Sequence, residues 1–298
     1  MNTGEFAFIR WLRERTPGGP RVIVGPGDDT AVLAPASRPL LVTTDMLMDG
    51  TDFILKDVGG LAAGRKAMAA NLSDIAAMAG VPIAVVVSVA LPKHGGRELA
   101  EELHRGLSQI ANDYDVSIVG GDTNTWDHPL AISVTMLGEA TERGPVLRSG
   151  AKPGDWLFVT GPLGGSILGK HLTFTPRVRE ALAIHEAAPI HAMIDISDGL
   201  AADLQHILEE SGCGANLDAA AIPISDDAVK VSRTSGRTPL QHALGDGEDF
   251  ELLFAVDPAD GPKFAHFAKI GECVESGLML NGEPLAPTGW VHAMETRS

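Results

Sequence analysis

The chain has 298 residues, 44% of them hydrophobic and 21% charged, a composition that can form a packed core and excludes a wholly disordered protein. Its 39 acidic and 23 basic residues leave a formal net charge of −16, which argues against binding to a nucleic-acid backbone or an anionic membrane surface. The two cysteines, Cys213 and Cys273, are far apart in sequence, so we expect a reducing, cytoplasmic location rather than a disulfide scaffold.

The N-terminal half alternates short strands with helices. A partial apolar face predicts a helix over residues 5–15, and Ala, Leu and Met predict one or two helices over residues 57–79. A further helix is predicted over residues 96–113. The predicted strands cover residues 21–24, 30–34, 40–45, 83–91, 116–119 and 130–137. This order predicts a mixed α+β domain, because it does not follow a strict βαβ alternation.

A turn cluster at residues 149–155 marks the predicted domain boundary, which divides the chain into residues 1–148 and 149–298. Beyond it, a helix is predicted over residues 198–211, with Ser197 or Asp198 as its cap. The predicted strands of this half cover residues 156–160, 250–256, 268–274 and 278–280. No apolar segment reaches the roughly 18–20 residues that a membrane span needs.

Acidic residues recur at the ends of the predicted elements, beside Gly, Ser, Thr or Asn. They lie in residues 27–29 (GDD), 43–45 (TTD), 71–74 (NLSD), 120–123 (GGDT) and 195–199 (DISDG). One such acid is usually a turn residue or a helix cap. Five together favour a shared site, because clustered carboxylates repel one another and need cations to balance them. Carboxylate oxygens suit Mg²⁺, which commonly bridges to the phosphates of a nucleotide.

A glycine-rich segment at residues 164–171 (GGSILGKH) nearly matches a Walker A phosphate loop. His171 stands where that loop needs a Ser or Thr hydroxyl for Mg²⁺, so we interpret the segment as a turn that begins a helix. Lys66 is assigned to a solvated helix face, and His185 and His191 to solvated positions.

Seven motifs in a fixed order along nearly the whole chain resemble the thiamine-monophosphate kinase family. They are the five acidic motifs, the last of which extends over residues 194–200 (IDISDGL), together with residues 148–155 (RSGAKPGD) and 247–252 (GEDFEL). That family belongs to an ATP-binding superfamily that includes aminoimidazole ribonucleotide synthetase. The resemblance implies that superfamily's α+β fold. Residues 1–148 would form a Mg-ATP-binding half-barrel that pairs in a homodimer, and residues 149–298 an α/β-type domain that completes the nucleotide and substrate site.

The resemblance also implies site residues, position by position. The family's Mg²⁺ ligands match Asp29, Thr43, Thr44, Asp45, Asp74, Asp122, Asp195 and Asp198. Its ATP contacts match Gly121, Asp122, Arg148 and Ser197. Its thiamine monophosphate contacts match Asp52, Glu248 and Trp290. Asp122 and Asp198 are the residues expected to be catalytic. Two positions depart from the family pattern: Asp52 stands where His is common, and Asp246 interrupts a usual Gly-Gly pair.

The implied activity is transfer of the γ-phosphoryl group of ATP to thiamine monophosphate, with several Mg²⁺ ions, which is the last step of thiamine diphosphate biosynthesis. The expected partners are ATP, thiamine monophosphate and a second copy of the chain, without nucleic acid or membrane. Two alternatives stay open. In the first, the chain is another ATP-dependent member of the superfamily with a different acceptor. In the second, it is a nucleotide-binding module without turnover.

Overall fold

The structure is a computed structural model that describes residues 11–16, 18–26 and 30–290. The chain divides into two compact units. Unit 1 comprises residues 1–75 and 80–144, and unit 2 comprises residues 76–79 and 145–298. The division after Gly144 lies four residues before the boundary that the turn cluster predicts. None of the described helices combines the length and apolar character that crossing a bilayer requires.

The elements are numbered in chain order. The strands are β1 (Val22–Val24), β2 (Val32–Leu33), β3 (Leu40–Met48), β4 (Val81–Pro92), β5 (Ser117–Trp126), β6 (Ala131–Glu139), β7 (Trp156–Val159), β8 (Ile190–Asp195), β9 (Gly214–Leu217), β10 (Leu252–Val256), β11 (Ala268–Val274), β12 (Leu278–Leu280) and β13 (Glu283–Pro284). The α-helices are α1 (Leu55–Ala77), α2 (Gly96–Asp113), α3 (Lys170–Thr173), α4 (Val178–Ala187), α5 (Leu200–Ser211), α6 (Asp226–Ser235) and α7 (Pro239–Gly245). Residues 11–15 are also helical.

Unit 1 is built on a four-stranded sheet in the order β3-β6-β4-β5. The β4–β5 pair is parallel, and the other two pairs are antiparallel. Two glycines let α1 and α2 pack closely. A Cβ atom at Gly64 would lie 2.3 Å from the Leu103 carbonyl oxygen, and one at Gly106 would lie 2.0 Å from that of Leu61. Any larger residue at either position would force the helices apart.

One face of this sheet remains exposed and apolar. In β3 the side chains of Leu40, Val42, Met46 and Met48 are exposed, whereas Leu41 and Leu47 are buried. This alternation follows from the two-residue period of a strand, which sends successive side chains to opposite faces. The exposed face therefore carries the hydrophobic side chains that a partner would cover.

Unit 2 is built on a seven-stranded sheet in the order β13-β12-β9-β11-β7-β10-β8. The β9–β12 pair is parallel, and the other pairs are antiparallel. On one face, Leu157 and Leu253 share a buried apolar cluster with Leu204 of α5. The next residue of each strand faces the other side of the sheet, where Phe158 stacks on Phe254 with ring centroids 5.4 Å apart. Both faces of the central strands are thus buried, which explains their nearly continuous hydrophobic sequence.

Several predicted elements need correction. Residues 120–123 lie inside β5 rather than after a strand, because pairing with β4 continues to Trp126. Helix α5 begins at Leu200, and neither Ser197 nor Asp198 caps it. Instead the carboxylate of Asp203 accepts hydrogen bonds from the main-chain N–H groups of Asp198 and Gly199, both at 3.0 Å. Strands β8 and β9 and helices α6 and α7 were not predicted, and residues 5–10 of the first predicted helix lie outside the described residues.

Candidate functional site

The acidic motifs of β3 and α1 meet within unit 1. Thr43 and Asp45 lie on β3, and Asp74 lies near the end of α1. The Thr43 hydroxyl donates a hydrogen bond to Oδ2 of Asp74, so the strand and the helix present their oxygen atoms together. One turn earlier on α1, Oδ1 of Asn71 is buried without a hydrogen-bond partner among the described residues. Such a set of oxygen donors suits a hard cation such as Mg²⁺. Asp29 lies outside the described residues.

Gly121 and Asp122 lie at the other edge of the same sheet. They belong to β5, and β6 and β4 separate this strand from β3. Three strand spacings of about 4.8 Å put these edges roughly 14 Å apart. Gly121 is required by the packing, since a Cβ there would lie 1.9 Å from the Val87 carbonyl oxygen. One chain therefore does not bring Asp122 to Asp45.

Asp52 takes part in a local turn. Its Oδ2 accepts a hydrogen bond from the main-chain N–H of Met48 at 2.6 Å. Its own carbonyl oxygen accepts one from Nζ of Lys66, also at 2.6 Å. Lys66 is 1% exposed, so its assignment to a solvated helix face was wrong. The buried ammonium group holds the segment that carries Asp52. Sequence periodicity did not reveal the burial of Lys66, because α1 is buried on most of its surface.

Three separate segments of unit 2 bring predicted site residues together through main-chain hydrogen bonds. The carbonyl of Ser197 accepts from the N–H of Glu248 at 2.7 Å, and the carbonyl of Asp198 accepts from the N–H of Trp290 at 2.9 Å. A Cβ at Gly247 would lie 2.7 Å from the Ser197 carbonyl oxygen, so only glycine permits this approach. The predicted ATP contact Ser197 thus adjoins two predicted substrate contacts.

Carboxylates crowd the start of α5. Burial, together with the negative charges of Asp195 and Asp198, raises the pKa of Asp203 to about 8. Potential ligand atoms of Asp198, Asp203 and His206 all lie within 4.8 Å of one another. This crowding is what a bound divalent cation would relieve, so the residues fit Mg²⁺. Sequence reasoning missed Asp203 and His206, although their spacing of three on a predicted helix was a usable signal.

Arg148 lies beside the edge strand β8. The N–H of Met193 donates to the carbonyl of Leu147 at 3.0 Å, and the Ser211 hydroxyl donates to the carbonyl of Arg148 at 3.2 Å. The main chain of the exposed Arg148 thus lies beside β8 and the last residue of α5, Ser211, whereas the carboxylates crowd the start of that helix. His185 and His191 were both assigned to solvated positions. His185 is only 6% exposed, and Nδ1 of His191 lies 2.7 Å from Oδ2 of Asp155. The assignment of His185 was therefore wrong.

A buried ion-pair network lies beneath this site. Glu251 is 1% exposed and accepts two hydrogen bonds from Arg177, at 2.8 and 2.9 Å, and one from Lys170 at 3.0 Å. Burial opposes ionisation of Glu251, but the hydrogen bonds of Arg177 and the charge of Lys170 hold its pKa below the usual value. A cavity of about 500 Å³ adjoins the network and is lined in part by Phe174.

Asp249 gives the network a measurable pH dependence. Burial raises the pKa of Asp249 to about 6, against an ordinary value of 3.8. The folded state then holds this proton more tightly than the unfolded chain does, so stability should fall as pH rises from about 4 to 6. We expect the free energy of unfolding of the wild type to fall by up to about 3 kcal/mol, relative to that of Asp249→Asn, over this range. Urea titrations of both proteins at each pH measure the difference; parallel curves would contradict it.

Two family models match the chain. The N-terminal domain of AIR synthase related protein matches residues 27–140, and its C-terminal domain matches residues 152–269. The two matches cover most of both units. They confirm the expected fold class, with mixed α/β sheets and helices in two domains of this type.

Individual relatives are similar over most of their length. A thiamine-monophosphate kinase of Rhodopirellula baltica is 46% identical over 264 residues, which span 86% of this chain and 83% of the relative. That of Escherichia coli is 35% identical, with 96% of each chain covered. The crystal structure of the Stenotrophomonas maltophilia enzyme is 29% identical and superposes with a TM-score of 0.82, covering 96% of this chain and 99% of that one.

A solved structure of AaThiL complexed with AMPPCP and TMP superposes with a TM-score of 0.80 at 29% identity, and 97% of each chain is covered. Sequence, domain models and tertiary structure therefore agree on one relationship. The chain belongs to the thiamine-monophosphate kinase family.

Proposed function

We propose that the chain catalyses ATP-dependent phosphorylation of thiamine monophosphate to thiamine diphosphate. The observation that carries this proposal is the assembly of Ser197 and Asp198 with Glu248 and Trp290 by main-chain hydrogen bonds, which places a predicted ATP contact beside predicted acceptor contacts. A structural relative complexed with AMPPCP and TMP supports the same pairing of ligands. In the reaction, the bond between the γ-phosphorus and the ADP oxygen breaks, and a bond to an oxygen of the acceptor phosphate forms.

The chain's residues need only bind and position the reactants. The acceptor oxygen is already anionic, so no strong general base is required. Rate enhancement then comes from alignment and from neutralisation of phosphate charge. Arg148 would pair with ATP phosphate, while Glu248 and Trp290 would hold the cationic ring of the acceptor. Asp122 and Asp198 are the proposed catalytic carboxylates.

Mg²⁺ would be held by carboxylate and hydroxyl oxygen atoms. The proposed ligands are Asp29, Thr43, Thr44, Asp45, Asp74, Asp122, Asp195 and Asp198, to which the geometry adds Asp203. When bound, Mg²⁺ neutralises the phosphate oxygens. The ligands' own contribution is to keep several carboxylates at fixed positions despite their repulsion, as the raised pKa of Asp203 illustrates.

The decisive test is an assay of the purified protein with MgATP and thiamine monophosphate. We expect stoichiometric ADP and thiamine diphosphate, and no ADP without an acceptor. Turnover of ATP only with a different acceptor would assign the chain to another activity of the superfamily. Binding of ATP without turnover under any of these conditions would make it a nucleotide-binding module.

Trp290 supplies a prediction on the acceptor side. Trp290 is 55% exposed, so a large part of its surface is accessible to a cationic ligand. Trp290→Ala should raise KM for thiamine monophosphate by roughly 5–30-fold, because loss of a cation–π contact costs about 1–2 kcal/mol, and should leave KM for ATP nearly unchanged. Trp290→Phe should recover part of the loss. Equal changes for both substrates would show that the ring serves packing instead.

We further propose a cytoplasmic homodimer. Both edge strands of the unit 1 sheet, β3 and β5, lack a second neighbour within the described chain, and one sheet face exposes Leu40, Val42 and Met46. A second copy could cover this face and pair with these edges, closing two half-barrels. Such an interface should bury well above about 1,600 Å². It would also bring Asp122 of one copy to Asp45 of the other.

Light scattering provides the measurement for the dimer. We expect a mass about twice the 31.2 kDa of the chain, and we expect it to persist in high salt, since an apolar contact is not screened. A mass of one chain at micromolar concentration would contradict the dimer and the composite site.

A further inference from the structure

The glycine-rich segment at residues 164–171 binds carboxylates of its own chain. The N–H of Gly164 donates to Oδ2 of Asp249 at 2.8 Å, and the N–H of Gly165 donates to Oδ2 of Asp246 at 2.9 Å. Nζ of Lys170 lies 3.0 Å from Oε1 of Glu251. These donor types are the ones that a phosphate loop directs at a nucleotide. Here they hold the acidic segment 246–251, which contains the substrate contact Glu248.

His171, the residue that departs from the phosphate-loop pattern, completes this arrangement. Its Nδ1 lies 3.3 Å from Oε2 of Glu248, and its side chain is 7% exposed against 35% for Glu248. A protonated ring nitrogen at this distance can donate a hydrogen bond to the carboxylate oxygen. The histidine is thus held by the surrounding structure, while the glutamate keeps part of its surface open to a ligand.

The main chain at Glu248 cannot relax to reorient the carboxylate. Glu248 has φ of +53° and Phe250 has φ of +50°, in the left-handed region that non-glycine residues rarely adopt. The hydrogen bond from Glu248 N–H to the Ser197 carbonyl and the stacking of Phe250 on Phe174, with centroids 4.0 Å apart, hold this conformation. With the backbone fixed, the direction of the carboxylate depends on the side-chain torsions and on the partner that restrains them.

We propose that His171 is a positioning residue that orients the Glu248 carboxylate toward the cationic ring of the acceptor. The inference rests on the proposed function, because it assumes that Glu248 faces that ring. His171 does not touch the reacting atoms. It sets the direction of a charge that the acceptor meets, and thereby the affinity for this substrate rather than for ATP.

The test compares His171→Leu with His171→Asn, whose side-chain nitrogen can replace Nδ1. We expect His171→Leu to raise KM for thiamine monophosphate by roughly 5–20-fold, as for loss of one charge-assisted hydrogen bond, with KM for ATP and kcat within twofold. His171→Asn should recover most of the difference. His185→Leu, at another buried histidine of unit 2, should match the wild type in both KM values.

A double variant separates orientation from general damage. In a Glu248→Gln background, His171→Leu should change KM for thiamine monophosphate by less than twofold, because its target charge is gone. An unchanged KM in His171→Leu, equal shifts for both substrates, or no recovery in His171→Asn would overturn the proposal. A wild type that does not phosphorylate thiamine monophosphate would instead overturn the proposed function, so the two failures are distinguishable.

Discussion

A mixed dimer of Asp45→Asn and Asp122→Asn is expected to be active although neither variant is active alone. The reason lies in the strand order of unit 1, which puts β3 and β5 at opposite edges with two strands between them. If each MgATP site combines the β3 edge of one copy with the β5 edge of the other, a mixed dimer has one site with both carboxylates and one with neither. Co-expressed, differently tagged chains purified through both tags should therefore retain about half of the wild-type activity.

The matched control pairs Asp45→Asn with Asp74→Asn. Thr43, Asp45 and Asp74 belong to the same side of the proposed site, where Thr43 contacts Asp74 directly. Each site of this mixed dimer then lacks one ligand, so no recovery is expected. Recovery in the control, or none in the Asp45→Asn and Asp122→Asn pair, would show that Asp122 does not act across the dimer.

Asp74→Asn alone should lower kcat by roughly a thousandfold, since a lost metal ligand removes several kcal/mol of charge stabilisation. The metal-free protein should be as stable as the wild type or slightly more stable. An asparagine oxygen still accepts the hydrogen bond from Thr43, and one source of carboxylate repulsion is gone. Thermal melts with and without Mg²⁺ measure this directly, because the stabilisation by Mg²⁺ should shrink in the variant.

Asp57→Asn is the control for this experiment. Asp57 is an exposed acid in the first turn of α1, before the kink that the non-helical Gly59 makes in it, so its loss should change neither kcat nor the stabilisation by Mg²⁺. Full activity of Asp74→Asn at ordinary Mg²⁺ concentrations would exclude Asp74 as a ligand.

Local sequence predicted the elements that carry a strong internal pattern. Helix α2 has the predicted bounds, 96–113, because its apolar face is regular. Strand β11 likewise covers the predicted residues 268–274. The short strands β8 and β9 were missed, since four to six residues carry too little pattern to separate from loops. Strand β5 extends through a Gly-Gly-Asp-Thr segment with turn composition because pairing with β4 supplies the hydrogen bonds that composition does not predict.

The order of the motifs was enough by itself to determine the family, because seven short patterns at suitable spacings rarely arise together. It also nominated Ser197, Asp198, Glu248 and Trp290, which the fold of unit 2 joins by hydrogen bonds. Only the tertiary structure decided what those patterns contact. It turned the phosphate-loop-like segment toward the chain's own carboxylates, buried Lys66, and separated Asp45 from Asp122. Each of these outcomes depends on residues distant in sequence, which a local pattern cannot encode.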